Sequence, residues 1–207
     1  MIIQKVGGYC FKLSAGPLTV ALNPPGGKSK LKVNKFGADI VMVSVRHMDF
    51  DGAETATHGE KDPFVISGPG AYEVGDITVS AFATPTEYGT ASDVGNTAYV
   101  FEMDGIKVLA LGAVSSGKLP QDLRAEVDDI GIALVPVGDG ALDPKAAHDL
   151  MVTLEPKIII PYGVGPNGDE AVKAFLKAEG ESPKVEEKLT IRAKEVQEKD
   201  GDVVLLA

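Results

Sequence analysis

Seven residues, Ala38 to Ser44 (ADIVMVS), make an almost unbroken apolar run of strand length. Such a run reads as a β-strand buried on both faces, because a strand with one wet face alternates apolar and polar residues. The chain turns polar immediately afterwards. Val45-Arg46-His47-Met48-Asp49-Phe50-Asp51-Gly52 sets a histidine, two carboxylates and a glycine just beyond the carboxyl end of that strand. Open α/β sheets gather their functional groups at that position.

No charged, Pro-rich or Ser-rich linker divides the 207 residues, so a single domain over 1–207 is expected. With 44% hydrophobic residues and a mean hydropathy of +0.06, the chain can bury a sizeable core. The apolar runs fall short of a membrane span, and Met-Ile-Ile-Gln-Lys opens as a strand and not as a signal peptide. A soluble, cytoplasmic protein is expected, with no membrane partner. The single cysteine, Cys10, excludes an internal disulfide framework and a cysteine-rich zinc site; between Tyr9 and Phe11 it reads as a small core residue. Twenty basic against thirty acidic residues give a formal charge of -10, which repels phosphate backbones and argues against nucleic acid. Four lysines between Lys28 and Lys35 are the local exception, and they fit a solvated loop or a lysine-protected edge strand.

The amino-terminal third reads as a β-meander, Ile2 to Val6, Tyr9 to Ser14 and Leu18 to Leu22, cut by Gly7-Gly8 and Ala15-Gly16-Pro17. Further strands are expected at Pro63 to Ser67, Ala71 to Val74, Ile77 to Thr84, Thr97 to Met103 and Ile106 to Leu111. Asp104-Gly105 marks a two-residue hairpin. After Gly117 the pattern alternates: a short helix over Leu119 to Val127, a strand at Ile132 to Val137, and a helix opened by Asp143-Pro144 with Ala147, Leu150, Met151 and Leu154 on its core face. A strand from Lys157 to Pro161 follows, then a helix capped by Asn167 with Ala171, Ala174, Phe175 and Ala178 inward, then strands at Lys188 to Ala193 and Val203 to Leu206. This order predicts an α/β (α+β) layered sandwich with helices outside the sheets.

Four strings in this order resemble the metallo-β-lactamase superfamily: Ala38-Asp39-Ile40-Val41 leading into His47-x-Asp49; Gly68-Pro69-Gly70-Ala71-Tyr72-Glu73-Val74; Gly95-Asn96-Thr97-Ala98-Tyr99-Val100; and Pro136-Val137-Gly138 through Pro156-Lys157-Ile158-Ile159-Ile160-Pro161. The branch they are most similar to is that of the small hydrolases related to L-ascorbate-6-phosphate lactonase. The resemblance implies a four-layer αββα sandwich with metal held by loops along one sheet edge. Active members bind zinc or a similar ion through an HxHxDH loop and later ligands, and the ion lowers the pKa of a bound water to make hydroxide available.

Set against that pattern, the loop retains only His47 and Asp49; Val45 and Phe50 stand at histidine positions. Pro85-Thr86-Glu87 replaces the next histidine, Leu111-Gly112-Ala113 the bridging aspartate, Ile160-Pro161-Tyr162-Gly163 the last histidine, and Asn23-Pro24 the usual Asp-Pro. A catalytic zinc needs three protein ligands and an open fourth position, so no metal cofactor is expected. The expected product is a non-catalytic scaffold whose cleft, lined by Val45, His47, Phe50, Thr86, Ala113 and Tyr162, takes a small molecule, a protein or a second copy of the chain. The alternative is a divergent hydrolase of a lactone or phosphorylated small molecule. It would use one zinc or other divalent cation on His47 and Asp49, with added oxygens from Asp51, Glu54, Glu87 or Asp93. His47 and Asp49 also read as a hydrogen-bonded pair that orders the loop. His58 reads as a surface residue, His148 as lying off its helix's core face, Gly138-Asp139-Gly140 as a turn, and Ser115-Ser116 as lacking a paired base.

Overall fold

The computed structural model describes residues 1–57, 62–89 and 95–207. Short apolar stretches cut by glycines form the expected meander, β1 (Ile2–Gly7), β2 (Cys10–Ala15) and β3 (Leu18–Leu22), paired antiparallel. The Ala38 run contributes β4 (Ile40–Met42), flanked in parallel by β3 and by β5 (Phe64–Ile66). Every residue from Ile40 to Val45 is buried. The ladder is shorter than the apolar run because side chains claim its last groups: the Tyr99 hydroxyl donates to the Val43 carbonyl at 2.6 Å, and Ser44 N donates to Asn23 Oδ1 at 2.8 Å.

Next come β6 (Gly70–Val74), β7 (Ile77–Thr84), β8 (Asn96–Met103) and β9 (Ile106–Ala110), antiparallel neighbours in that order. The hairpin between the last two turns on Asp104 (φ 55°) and Gly105 (φ 69°), the paired positive φ values that a tight right-twisted hairpin needs. The short α1 (Gln121–Arg124) covers only the middle of the expected helix. A parallel unit follows, β10 (Ile132–Gly138), α2 (Pro144–Leu154) and β11 (Ile158–Val164), then α3 (Gly168–Glu179). Asp143 caps α2, its Oδ1 accepting from Lys145 N at 2.9 Å and Ala146 N at 3.4 Å.

Four expectations need correction. In α3 the buried face is Gly168, Val172 and Phe175, while Ala174 and Ala178 are exposed; larger side chains gain more from leaving water than alanine does, and they set the helix rotation. Asn167 makes no side-chain cap. Its amide bonds Asp139 Oδ2 at 3.1 Å instead. The strand over Lys188 to Ala193 shrinks to β13 (Leu189–Thr190), preceded by β12 (Val185–Glu186), because Glu195 Oε2 accepts from Arg192 N at 2.8 Å and starts α4 (Ala193–Gln197). The last segment splits into β14 (Asp202–Val203) and β15 (Leu205–Leu206).

Among the described residues the strands form a six-stranded sheet, β13-β1-β2-β3-β4-β5, a seven-stranded sheet, β14-β11-β10-β9-β8-β7-β6, and a small β12-β15 pair. Ile3, Phe11, Leu13 and Ile40 from the first sheet share one cluster with Val79, Phe101, Val108 and Leu134 from the second, so the two pack face to face. On the outer side of the seven-stranded sheet, Leu109, Ala133 and Ile159 pack with Leu150 and Met151 of α2 and Phe175 of α3. Among the described residues, the outer layer over the six-stranded sheet is a loop carrying Phe36 and the 3-10 turn Ala53–Thr55. The ends of β3, β4, β7, β9, β10 and β11 and the start of β8 meet along one edge, where Val45 bridges to Asn96.

Candidate functional site

The loop after β4 is a tight knot of local bonds. His47 N donates to Val45 O, and both Phe50 N and Asp51 N donate to His47 O, each at 2.8 Å. His47 and Asp49 do come together: Asp49 N donates to His47 Nδ1 at 3.2 Å, and Nδ1 lies 3.5 Å from Asp49 Oδ2. The imidazole is one third exposed and the carboxylate one fifth, at 33% and 19%.

Asp49 then leads inward. Its Oδ1 accepts from the Ser29 hydroxyl, and its Oδ2 accepts from the Tyr88 hydroxyl at 2.7 Å. The Tyr88 and Tyr9 hydroxyls are 3.4 Å apart, and Tyr9 accepts from Gly165 N at 2.9 Å. A hydroxyl has one proton to give. With Tyr88's committed to Asp49, the chain runs in one direction, from the Gly165 amide through Tyr9 and Tyr88 to the Asp49 carboxylate. Burial, and then the hydrogen bonds to Tyr9 and Asp49, push the Tyr88 hydroxyl well above the ordinary tyrosine range. Tyr88 is therefore a fixed donor and not a base or nucleophile.

Rings pack around this chain. Tyr88 sits edge-on to His47 (5.2 Å between centroids, 82° between planes), to Phe50 (4.9 Å, 73°) and to Tyr9 (5.8 Å, 84°), while Tyr9 lies 4.7 Å from Phe50. Edge-to-face contacts of this kind add to the area that the rings bury.

The remaining expected cleft residues do not line an opening. Val45, Phe50 and Ala113 are 0% exposed and Tyr162 3%, all within the inter-sheet core. Only His47 and Thr86 of the six are half-buried. The physical reason is bulk: aromatic and branched side chains fill this edge and close on each other. Tyr162 packs edge-on against Phe11 at 5.1 Å and its hydroxyl donates to the Gly112 carbonyl. Burial raises the Tyr162 hydroxyl above its usual range. Gly112 (φ 66°) passes so close to its neighbours that a Cβ there would meet Asn96 Oδ1 at 2.3 Å and Ser44 Cβ at 2.5 Å. Asn96, 1% exposed, uses its whole amide at this turn: Nδ2 donates to Thr84 Oγ1 (2.7 Å) and Leu111 O (2.9 Å), and Oδ1 accepts from Ala113 N (2.7 Å).

Other candidates are held elsewhere. Asp51 and Glu87 are exposed. Glu54 Oε1 accepts from Gly27 N at 2.9 Å. Thr86 Oγ1 and Glu87 N both donate to Gly140 O, at 3.3 and 3.2 Å, which pins the 85–89 loop beside the Gly138–Gly140 turn. His148 pairs with Glu179 at 2.9 Å across α2 and α3. His58 and Asp93 lie outside the described residues. Buried Cys10 has its thiol pushed far above the usual range by desolvation, so it is unreactive.

Tyr88, Tyr9 and Ser29 were not legible as site residues. Tyr88 directly follows Thr86-Glu87, the stretch that the family resemblance marks, so its signal was a neighbouring aromatic and not a ligand type. The donor set does not fit the ion that the fold implies. His47 Nδ1 accepts a backbone proton and both Asp49 oxygens accept hydroxyl protons. Among the described residues no group of three or more His, Cys, Asp or Glu side chains is placed to hold a metal.

Comparison with known proteins agrees with the fold. The model of the β-lactamase superfamily domain matches residues 2–163. A candidate Zn-dependent hydrolase of the metallo-β-lactamase superfamily from Thermotoga maritima superposes with a TM-score of 0.72 at 26% identity, covering 99% of this chain and 97% of that one. A candidate metal-dependent hydrolase from Parabacteroides distasonis gives 0.66 at 17% identity, covering 89% and 92%. A metallo hydrolase from the archaeon Ignicoccus hospitalis gives 0.63 at 17%, covering 92% and 99%. No curated protein sequence matches this chain significantly.

Proposed function

Because this chain belongs to the β-lactamase superfamily yet fills the metal-binding edge of that fold with its own side chains, we propose that it is a non-catalytic member of the lactonase-like branch, acting by binding. One observation carries this reading. The surviving carboxylate, Asp49, spends both oxygens on Ser29 and Tyr88, and Val45 and Phe50, at histidine positions, are sealed in the core. A dication placed there would have to break two charge-assisted hydrogen bonds and would gain only two protein ligands.

Metal analysis of protein purified without chelator tests the reading, together with melting in added zinc. The expected outcome is a metal content far below one ion per chain and an unchanged melting midpoint, since only a ligand that binds the folded state raises it. The hydrolase names of the structural neighbours favour a second reading, a single-ion hydrolase of a lactone or phosphorylated small molecule built on His47 and Asp49. Near-stoichiometric zinc, manganese or iron that disappears in His47→Ala would put that reading in place of ours.

A further inference from the structure

Away from the sheet edge, the loop from Ser115 to Leu119 and α1 stand apart from α2, and between them lies a cavity of about 1040 Å³. Four other hollows on the described residues are of about 270 to 410 Å³. Its size is that of a pocket for a small molecule, for which a mainly apolar wall with a few converging polar groups is the usual build. Leu119 and Leu150 form a buried floor and Leu154 is half-buried beside them. Three charges stand on the rim, Lys118, Arg124 and Asp149. All three are exposed, and no ion pair within the described residues involves any of them.

We propose that this groove binds an amphipathic monoanion, a carboxylate-headed molecule with a hydrocarbon body. The leucines take the hydrocarbon, and the two unpaired cations take the head. On a chain of net charge -10, two exposed cations in no ion pair among the described residues, at the mouth of this hollow, complement an anion. Asp149 limits the charge that fits: with two positive groups and one negative, the rim carries a single net positive charge and matches a monoanion better than a dianion. The floor leucines belong to the outer cluster of the seven-stranded sheet, while Val45, Phe50 and Tyr162 belong to the inner one. The groove is therefore separable from the closed edge by substitution.

Octanoate is the probe and 1-octanol its uncharged counterpart, followed by methyl chemical shifts of Leu119, Leu150 and Leu154 and by titration calorimetry on the full chain. Octanoate is expected to bind with shifts confined to those methyls. Lys118→Gln/Arg124→Gln is expected to weaken octanoate about tenfold while leaving 1-octanol binding and the melting midpoint unchanged. Asp149→Asn is expected to strengthen octanoate, and Ala146→Phe, which fills the groove from α2, to remove both ligands. No octanoate binding by the parent chain overturns the proposal, and so does equal octanoate affinity in the double variant. Shifts centred on His47 instead would also overturn it.

Discussion

The closed edge around His47 and the open groove beneath α2 are built from similar stock, apolar walls with a few polar groups, yet they end in opposite states. At the edge the buried polar groups hold one another: Asp49 has Ser29 and Tyr88, Asn96 has Thr84, Leu111 and Ala113, and Tyr162 has Gly112. At the groove, Lys118, Arg124 and Asp149 face water. Hydrophobicity does not distinguish the two places. What does is whether the polar atoms are mutually satisfied, because an unpartnered buried group is costly and a partnered network rigidifies its surroundings.

The most damaging way to break the closed edge is Gly112→Ala. The added Cβ collides with Asn96 and Ser44 in a left-handed conformation that already disfavours alanine. A loss of more than about 4 kcal/mol in urea unfolding, or failure to fold, is expected; a variant as stable as the parent would mean that the turn is loose. Phe50→Ala comes next, at about 3 to 5 kcal/mol for a fully buried ring. It would sharpen the contrast if it also raised the accessibility of His47 to chemical modification.

The smallest effect at neutral pH belongs to Tyr88→Phe, at about 1 kcal/mol for a removed hydrogen bond, and its clearer signature is alkaline. Tyr88, Tyr99 and Tyr162 all hold their protons more tightly than the ordinary value near 10. Above that pH the unfolded chain releases protons that the folded chain keeps, so stability falls as pH rises, by about 1.4 kcal/mol per pH unit for each such tyrosine. Below it these groups are protonated in both states and contribute no pH dependence. Tyr88→Phe is expected to make the alkaline limb shallower; an unaltered limb would mean that the hydroxyl is not held in the network.

Local chemistry was legible wherever it is decided locally. Asp104-Gly105 announced its hairpin, Asp143-Pro144 its helix start, and the apolar Ala38 run a strand wet on neither face. The rotation of α3 was not legible, since Ala174 and Ala178 repeat at helical spacing as well as Val172 and Phe175 do, and only the facing sheet chooses the larger set. Nor was the length of β4, which ends where Tyr99, far along the chain, takes the Val43 carbonyl.

At the site, the residue types were written in the chain: Val45, Phe50 and Ala113 carry no side-chain nitrogen or oxygen that a metal could take, whereas Tyr162 keeps an oxygen whose proton the fold commits to the Gly112 carbonyl. Whether the space they left became a cleft or a core was a matter for the fold. Ser29 and Tyr88 reach Asp49 directly and Tyr9 reaches it through Tyr88, and the convergence of these three separate segments closes the edge. The reason is that ligand chemistry belongs to a single residue, while filling a volume depends on side chains that become neighbours only after the chain has folded.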